Sequence, residues 1–180
     1  MQIRAEQLAD QLRGSLLPVY LVHGDDPLLT MEACQGVRDA AHTQGFSERE
    51  VFTVDKSFDW QALTGASQSM SLFAEKRLLE IRLPTGKPGT TGSEVLTQLA
   101  SKPDDDTIIL VWSGRLDKKA QAAKWVKALD ATGAVIAIYP MAPRDLPGWI
   151  NQRIKRHQLN AEPGVADLLA YTATKISPFA

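Results

Sequence analysis

Short strand-like runs that alternate with longer amphipathic stretches are the feature that most constrains how this 180-residue chain can fold. The candidate strands lie at 18–23, 50–54, 77–83, 107–112 and 134–139, and the run at 107–112 is the most apolar. Strands that are separated by helices along a chain favour a parallel sheet with helices on both faces. We therefore predict an α/β fold in which five strands form a parallel sheet covered by helices.

The helix signals fall between these candidate strands and continue beyond the last one. Apolar residues at helical spacing predict helices at 4–13, 27–45, 59–68 and 117–129, and a short helix that Ser93 caps. The glycine- and proline-rich segment 84–92 is predicted to be a loop. After Tyr139 three prolines lie within eight residues, and only helical signals follow. We predict that residues 1–140 form the α/β domain and that residues 141–180 begin a small helical domain, inside which the chain stops.

Charge and composition exclude several classes of protein. The 20 lysines and arginines nearly balance the 21 aspartates and glutamates, so the net charge is −1 and no global positive field attracts nucleic acid. The single cysteine, Cys34, cannot form an intrachain disulfide or, alone, a thiolate metal site. No apolar run approaches the roughly 18 residues of a membrane span, and the N-terminus lacks the apolar core of a signal peptide. We expect a cytoplasmic protein.

The turn after the first candidate strand is where a sheet of this kind would bind a nucleotide, on the N-terminus of the next helix. A phosphate-binding loop counted from Gly24 would place Gly, Lys and a hydroxyl residue where this chain has Leu29, Thr30 and Met31. The adjacent Asp-Asp pair at 25–26 would repel a triphosphate. The sequence therefore argues against a nucleotide at this turn.

The second half of an ATPase site is also missing from the sequence. An acid that holds magnesium should follow the strand at 107–112, but Ser113 and Gly114 stand there. The sequence thus predicts the architecture of a nucleotide-binding domain without its chemistry.

Other residues that could carry chemistry have simpler structural interpretations. His23, Asp25 and Asp26 have the side chains of a metal site, but a strand end beside a helix cap explains them. Cys34 lies within a predicted helix and is expected to be a small core residue. The acidic triplet 104–106 is expected to form a solvated turn, and no Ser-His-Asp or Cys-His arrangement stands out. We predict no catalytic residue, no metal ligand and no cofactor site.

The segment 69–77 has an unexpected composition for a connection between a helix and a strand. Met70, Leu72 and Phe73 stand where polar turn residues are usual, and Glu-Lys-Arg at 75–77 follows them. Large apolar side chains on a surface usually mark a protein interface, and a Leu-Phe pair could fill a partner's pocket. The alternative is that Leu72 and Phe73 fold onto the edge of the sheet. Spacing alone does not separate the two interpretations.

Six segments of the chain match a known protein family in their order and spacing. They are 20–29, 52–55, 59–60, 68–74, 116–119 and 146–150, within a resemblance that covers about residues 1–172. The most specific part is Met-Ser-Leu-Phe at 70–73, at its distance from Gly-Asp-Asp-Pro at 24–27. In these segments the chain resembles the delta subunit of the bacterial DNA polymerase III clamp loader.

This resemblance implies a fold, a role and a set of partners. The fold would be an AAA+-like (RecA-type) module without a working phosphate loop, followed by the start of a helical lid. Leu72 and Phe73 would insert into a hydrophobic pocket of the sliding clamp, with Met70 and Ser71 as their neighbours. The chain would bind and open the clamp for processive DNA replication, without ATPase activity of its own, as a subunit of a DNA-directed DNA polymerase (nucleotidyltransferase) holoenzyme. Other loader subunits would be partners of the full-length protein, and DNA would be reached indirectly through the complex.

Two features depart from the family that the chain resembles. The chain has about half of the family's length, so it would lack the helical collar that assembles the loader. Its last residues, 174–180, do not look like the family, which continues with more helices.

Two rival functions follow from other parts of the sequence. One is a small nucleotide-binding ATPase of the same architecture, which Leu29, Thr30 and Ser113 disfavour. The other is direct DNA binding by basic residues that we place opposite an apolar helix face, with a solvated helix face as the plainer interpretation. That basic group contains Arg153, Lys155 and Arg156, with Arg144 and His157 near them, and the apolar face contains Leu146, Trp149, Ile150 and Ile154.

Overall fold

The computed structural model describes residues 1–68 and 76–176, and it divides after Tyr139 into two compact units. Within the described residues, no helix is both long and apolar enough to cross a bilayer. The elements of the first unit are β1 (Gln2–Arg4), α1 (Ala5–Leu12), β2 (Val19–Gly24), α2 (Pro27–Thr43), β3 (Phe46–Thr53), α3 (Trp60–Gln68), β4 (Lys76–Leu83), α4 (Gly89–Ser101), β5 (Thr107–Ser113), α5 (Lys118–Gln121), α6 (Lys124–Thr132) and β6 (Ala134–Ile138).

The six strands of the first unit form one parallel sheet in the order β1-β6-β2-β5-β4-β3. The most apolar strand, β5, lies between β2 and β4, and Tyr20 of β2 pairs with Leu110 of β5. Helices connect most successive strands, as parallel pairing requires. The predicted α/β class with a covered parallel sheet is confirmed.

One face of the sheet packs against α3, α4 and α6. Leu63, Leu96 and Leu129 are the fully buried leucines that these three helices contribute. Each side chain of this size contributes roughly 1.5–3 kcal/mol when it leaves water. The strand residues in the same layer are Val19, Leu21, Ile81, Leu83, Ile109, Val111 and Val135.

The other face of the sheet packs against α1 and α2. Leu8 of α1, with Cys34 and Val37 of α2, is buried on this face. Their strand partners are Ile3, Tyr20, Val22, Leu78, Ile108, Leu110, Ala134, Ile136 and Ile138. The expectation that Cys34 is a core residue is therefore confirmed.

Two boundaries that the sequence predicts for helices are wrong. Helix α4 begins at Gly89 rather than after Ser93, so Gly92 belongs to the helix and not to the predicted loop. A Cβ on Gly92 would lie 2.3 Å from the ring of Trp60, so the glycine allows α4 to approach α3 closely. The helix predicted over 117–129 is two helices, because the backbone is extended at Ala123. Of these two, α6 buries three side chains and α5 buries none, so core packing fixes the axis of α6 alone.

The sequence also missed or shortened two strands at the edges of the sheet. Strand β1 has only three residues, which is too few to show an alternating pattern, and its Ile3 pairs with Ile136. Strand β3 begins at Phe46 rather than Glu50, because pairing with β4 extends through a register shift after Phe46. Both corrections come from pairing between segments that are distant in the chain.

The second unit, from Pro140 onward, is helical in its described part. A single 3-10 turn (Pro143–Asp145) precedes α7 (Leu146–Arg156), which packs against α8 (Val165–Ile176). Ala166 and Ala170 are its buried residues, whereas Leu168 and Tyr171 are 65% and 63% exposed. The structural division therefore falls one residue before the predicted one, and the identity of this unit as the start of a lid stays a prediction.

Candidate functional site

The turn between β2 and α2 is only two residues long, Asp25 and Asp26. The Asp26 carboxylate caps the helix by accepting the N–H of Leu29 at 3.0 Å, and the Asp26 carbonyl accepts the N–H of Thr30 at 3.0 Å. Pro27, the first helical residue, has no N–H to offer. The donors that would hold a phosphate at this helix N-terminus are thus largely used or missing, and two carboxylates stand beside them.

The neighbouring loop after β5 makes its own contacts with the turn after β2 and the loop after β4. Arg115 pairs with Asp25 at 3.2 Å, which joins this loop to the turn after β2. The Ser113 hydroxyl donates to the carbonyl of Gly114 at 2.9 Å, so its hydrogen is used within the loop. A Cβ on Gly114 would lie 2.6 Å from the carbonyl oxygen of Pro84, because the loops after β4 and β5 pack directly on each other. Ser113 and Gly114 stand at the end of β5, where a nucleotide-hydrolysing domain has an acid that holds magnesium.

Three titratable residues that the sequence singled out, His23, Cys34 and Asp104, have surroundings that are consistent with structural roles. His23 is 4% exposed, and burial lowers its pKa, so the imidazole is neutral. Burial raises the pKa of the Cys34 thiol to about 12, which makes it a poor nucleophile. Asp104 caps the expected exposed turn by accepting the Thr107 hydroxyl at 3.1 Å. Among the described residues, no group of His, Cys, Asp or Glu has the arrangement of a metal site.

The predicted clamp-binding residues Met70, Ser71, Leu72 and Phe73 lie outside the described residues. The two ends of their segment are described, and one side chain joins them. The Arg77 guanidinium, on β4, donates from Nη2 to the carbonyl of Ser67 at 3.1 Å, near the end of α3. Arg77 Nε also donates to the Thr107 hydroxyl at 3.3 Å, which ties the junction to β5. Residues 69–75 therefore connect two anchored ends.

A cavity of about 300 Å³ opens beside this junction. Ser67 and Thr107, which both bond to Arg77, line it, together with Pro18 just before β2. These residues lie at the amino ends of the parallel strands, whereas the turn after Gly24 lies at the carboxyl ends. The start of β4 thus lies at the end of the sheet opposite to the one where a nucleotide would bind.

The basic residues of α7 are arranged differently from the prediction. Arg153 was placed opposite the apolar face that contains Trp149, but its guanidinium lies 3.8 Å from the centroid of the Trp149 ring. Residues four apart on a helix lie on one side, and a guanidinium stacks favourably on an indole. Lys155 and Arg156 are exposed as expected. A DNA contact by Arg153, Lys155 and Arg156 stays a prediction.

The sequence reasoning missed an ionic cluster on β4. Glu80 is only 2% exposed, and its carboxylate accepts hydrogen bonds from Arg38 (3.1 Å), Arg49 (3.0 and 2.8 Å) and Arg82 (2.8 Å). Burial raises the pKa of Glu80, but the hydrogen bonds from Arg82 and Arg49 and the charge of Arg38 outweigh it, so the pKa lies below its ordinary value. The signal in the sequence is the pair of charged residues, Glu80 and Arg82, within the otherwise apolar run 78–83, but the other two partners come from α2 and β3.

Comparison with known proteins places the chain in a family. The sequence model of the family described as DNA polymerase III, delta subunit, matches residues 20–138. The chain belongs to this family. The DNA polymerase III subunit delta of Escherichia coli K12 is 33% identical over 171 residues, which are 95% of this chain and 50% of that protein. This delta-family chain therefore spans about half the length of the curated relatives it matches.

Solved structures carry the same fold as this delta-family chain. The Bacillus subtilis DNA clamp loader delta protein aligns with 92% of this chain and 51% of its own, at a TM-score of 0.67 and 18% identity. AMPPCP-bound DnaA from Aquifex aeolicus aligns with 97% of this chain and 60% of its own, at a TM-score of 0.53 and 16% identity. The expected AAA+-like fold is confirmed. Because one of these neighbours binds a nucleotide analogue, the fold alone does not decide whether this chain does.

Proposed function

We propose that this delta-family chain binds the sliding clamp of a bacterial DNA polymerase III and helps to open it during replication. The observation that carries the proposal is the family match itself, which extends over residues 20–138 and so includes the apolar segment 69–75. Within that segment, Leu72 and Phe73 are the residues we expect to enter a hydrophobic pocket of the clamp, with Met70 and Ser71 beside them.

The anchoring of the segment supports this role. A loop that carries binding residues is effective when a rigid scaffold holds its ends, because less ordering is then needed on binding. Arg77 bonds to Ser67 across the base of the segment, and β4 is paired on both sides, with β3 and β5. The described residues on either side of the segment, Ser67 and Lys76, lie at the amino ends of the strands, whereas the turn after Gly24 lies at their carboxyl ends.

We further propose that the chain hydrolyses no nucleotide and acts with other loader subunits that do. The support is chemical: the helix N-terminus at Pro27 is capped by Asp26, and Arg115 pairs with Asp25 where phosphates would lie. The contribution of the chain to the polymerase holoenzyme would then be binding rather than catalysis, and DNA would be reached through the assembled complex.

The double variant Leu72→Ala, Phe73→Ala tests clamp binding. Truncating a central apolar anchor usually costs about 2 kcal/mol or more, so the pair should weaken the affinity for the cognate clamp at least about a hundredfold. The melting temperature should hardly change if both side chains are exposed. Surface plasmon resonance on immobilised clamp and thermal unfolding, measured on the same preparation, give both quantities.

A matched control is available on α2. Leu28 and Met31 are 43% and 58% exposed, so Leu28→Ala, Met31→Ala removes a similar apolar pair from another surface and should leave clamp affinity unchanged. If the double variant at 72 and 73 keeps its clamp affinity but melts at a clearly lower temperature, the pair belongs to the core and the proposal is wrong.

A further inference from the structure

Strand β3 ends the sheet and leaves one long edge uncovered in the described part of the chain. It has eight residues, and those from Ser47 to Val51 are exposed. In the strand order, β4 is its one neighbour among the described strands. An edge of this length presents a row of backbone N–H and C=O groups that can pair with another extended segment. Strand addition of this kind is a common way for a sheet to bind a peptide.

The positive and negative side chains of β3 lie on opposite faces of the sheet. Arg49 lies on the same face as Glu80, to which it donates two hydrogen bonds. Glu48 and Glu50 alternate with Arg49 and so lie on the other face, where Glu50 pairs in register with the buried Leu79. Among the side chains of β3 itself, the charge is thus positive on one face, at Arg49, and negative on the other, at the two glutamates, where Arg77 of β4 pairs in register with Glu48.

The positive face has more cationic charge than its own carboxylate balances. Arg38, Arg49 and Arg82 share the single carboxylate of Glu80. Within the described residues, Arg82 donates from Nε to Glu80, and its side chain is 40% exposed. The side chain of Arg49 is 42% exposed. Two guanidinium groups beside the edge are therefore accessible to an additional anion.

A second copy of this chain is a poor occupant of the edge. Residues that are directly opposite each other in neighbouring strands lie on the same face of a sheet. Two copies of β3 would therefore place glutamates near glutamates on one face and arginines near arginines on the other. Like charges that face each other are destabilising, and such edges resist self-association.

We propose that the β3 edge is a docking site for an extended segment of a partner protein with alternating charges. An acidic residue of that segment would face Arg49 on the edge strand, with Arg82 one strand further away on the same face, and basic residues on either side of it would face Glu48 and Glu50. The backbone edge would supply pairing, and the sorted charges would fix the register. The residues that carry this proposal are outside 69–75, and the peptide assay contains no clamp, so its test is independent of clamp binding.

A fluorescein-labelled peptide of eight residues, with lysine and glutamate in strict alternation, is the direct probe. Its control has the same composition, with four lysines followed by four glutamates. Several opposite-charge cross-strand pairs together should make the alternating peptide bind about tenfold more tightly in fluorescence anisotropy. Amide hydrogen exchange along residues 47–53 should slow with the alternating peptide alone, since strand pairing protects backbone N–H groups.

Variants decide whether the arginines contribute as proposed. Arg49→Ala should weaken binding of the alternating peptide about threefold, Arg82→Ala should weaken it less because Arg82 lies one strand further from the peptide, and Arg49→Lys should retain most of it. The control Arg13→Ala removes an exposed arginine from the end of α1. This helix lies against β1 and β6, far from β3 in the strand order, so the change should leave peptide binding unaltered. Thermal unfolding of each variant separates lost binding from lost fold.

Three outcomes would overturn the proposal. The first is equal affinity for the alternating and the block peptide. The second is unchanged exchange along β3 when the alternating peptide binds. The third is binding of a short DNA duplex, in place of the peptide, that depends on Arg82, which would assign the surface to phosphate recognition instead.

Discussion

At the scale of single residues, Glu80 is the position where sequence and environment conflict most. An ionised carboxylate with 2% exposure on a strand is costly unless it is paired and hydrogen-bonded. Three guanidinium groups supply that pairing, and they come from α2, β3 and β4 itself. Glu80 therefore joins three elements through charge, whereas the neighbouring Ile81 packs in the apolar layer on the other face of the sheet.

Replacing Glu80 by glutamine should destabilise the first unit in a pH-dependent way. At neutral pH the free energy of unfolding should fall by about 2 kcal/mol, less than for a deeply buried pair because Arg49 and Arg82 still contact water. The pKa of Glu80 is lowered on folding, so its stabilising effect is complete above its ordinary value of 4.5 and is lost as the pH falls through the folded-state pKa. Urea unfolding of both proteins between neutral and acidic pH measures this.

The control for this prediction is Glu48→Gln, at an exposed glutamate of β3. It should change the unfolding free energy little at any pH. A Glu80→Gln variant whose deficit stays constant down to strongly acidic pH would contradict an ionic role for Glu80.

At the scale of elements, the junction of α3 and β4 connects the sheet to the segment that we propose binds the clamp. Arg77 holds the two ends of the segment 69–75 near each other by bonding to Ser67, and it also bonds to Thr107 at the start of β5. A segment with fixed ends has fewer conformations to lose when it binds. We therefore expect Arg77 to support the proposed clamp binding without touching the clamp.

Replacing Arg77 by alanine should weaken clamp binding about tenfold, because the segment would lose one of its anchors and more ordering would accompany binding. The effect should be smaller than that of removing Leu72 and Phe73. Arg115→Ala, which breaks an ion pair at the carboxyl ends of the strands, is the matched control and should keep full affinity. Clamp affinity that is the same in the Arg77 variant would show that the anchor has no part in binding.

At the scale of the whole chain, the fold alone does not decide whether a protein binds a nucleotide. AMPPCP-bound DnaA shares it, yet here the turn after β2 is short, acidic and capped by its own Asp26. Binding of a nucleotide depends on donors and cations at that turn, which the course of the backbone through the rest of the sheet does not supply.

A fluorescent ATP analogue with magnesium should therefore show no saturable binding to this chain up to about 1 mM, where a dissociation constant corresponds to only about 4 kcal/mol. An authentic AAA+ ATPase measured in parallel shows that the assay works. Saturable, magnesium-dependent binding in the micromolar range would refute the proposed lack of nucleotide chemistry.

Local patterns in the sequence determined much of this protein. Strand and helix periodicity predicted five of the six strands of the first unit and their parallel pairing, because alternation and helical spacing are properties of neighbouring residues. The absence of a phosphate-loop motif after Gly24 was also evident from the sequence, because such a loop is a contiguous motif. The apolar segment at 69–75 was identified in the same way, and its structure lies outside the described residues.

Tertiary structure decided what depends on residues that are far apart in the chain. Pairing with β6 makes a strand of Gln2–Arg4, and the ring of Trp60 explains why a helix contains Gly92. Arg38 and Arg49 meet Glu80 across separations of 42 and 31 residues, so no local window could reveal the cluster. The cost of bringing such groups together is met by the cooperative burial of the whole sheet, which is why these features follow from the fold rather than from their own sequence.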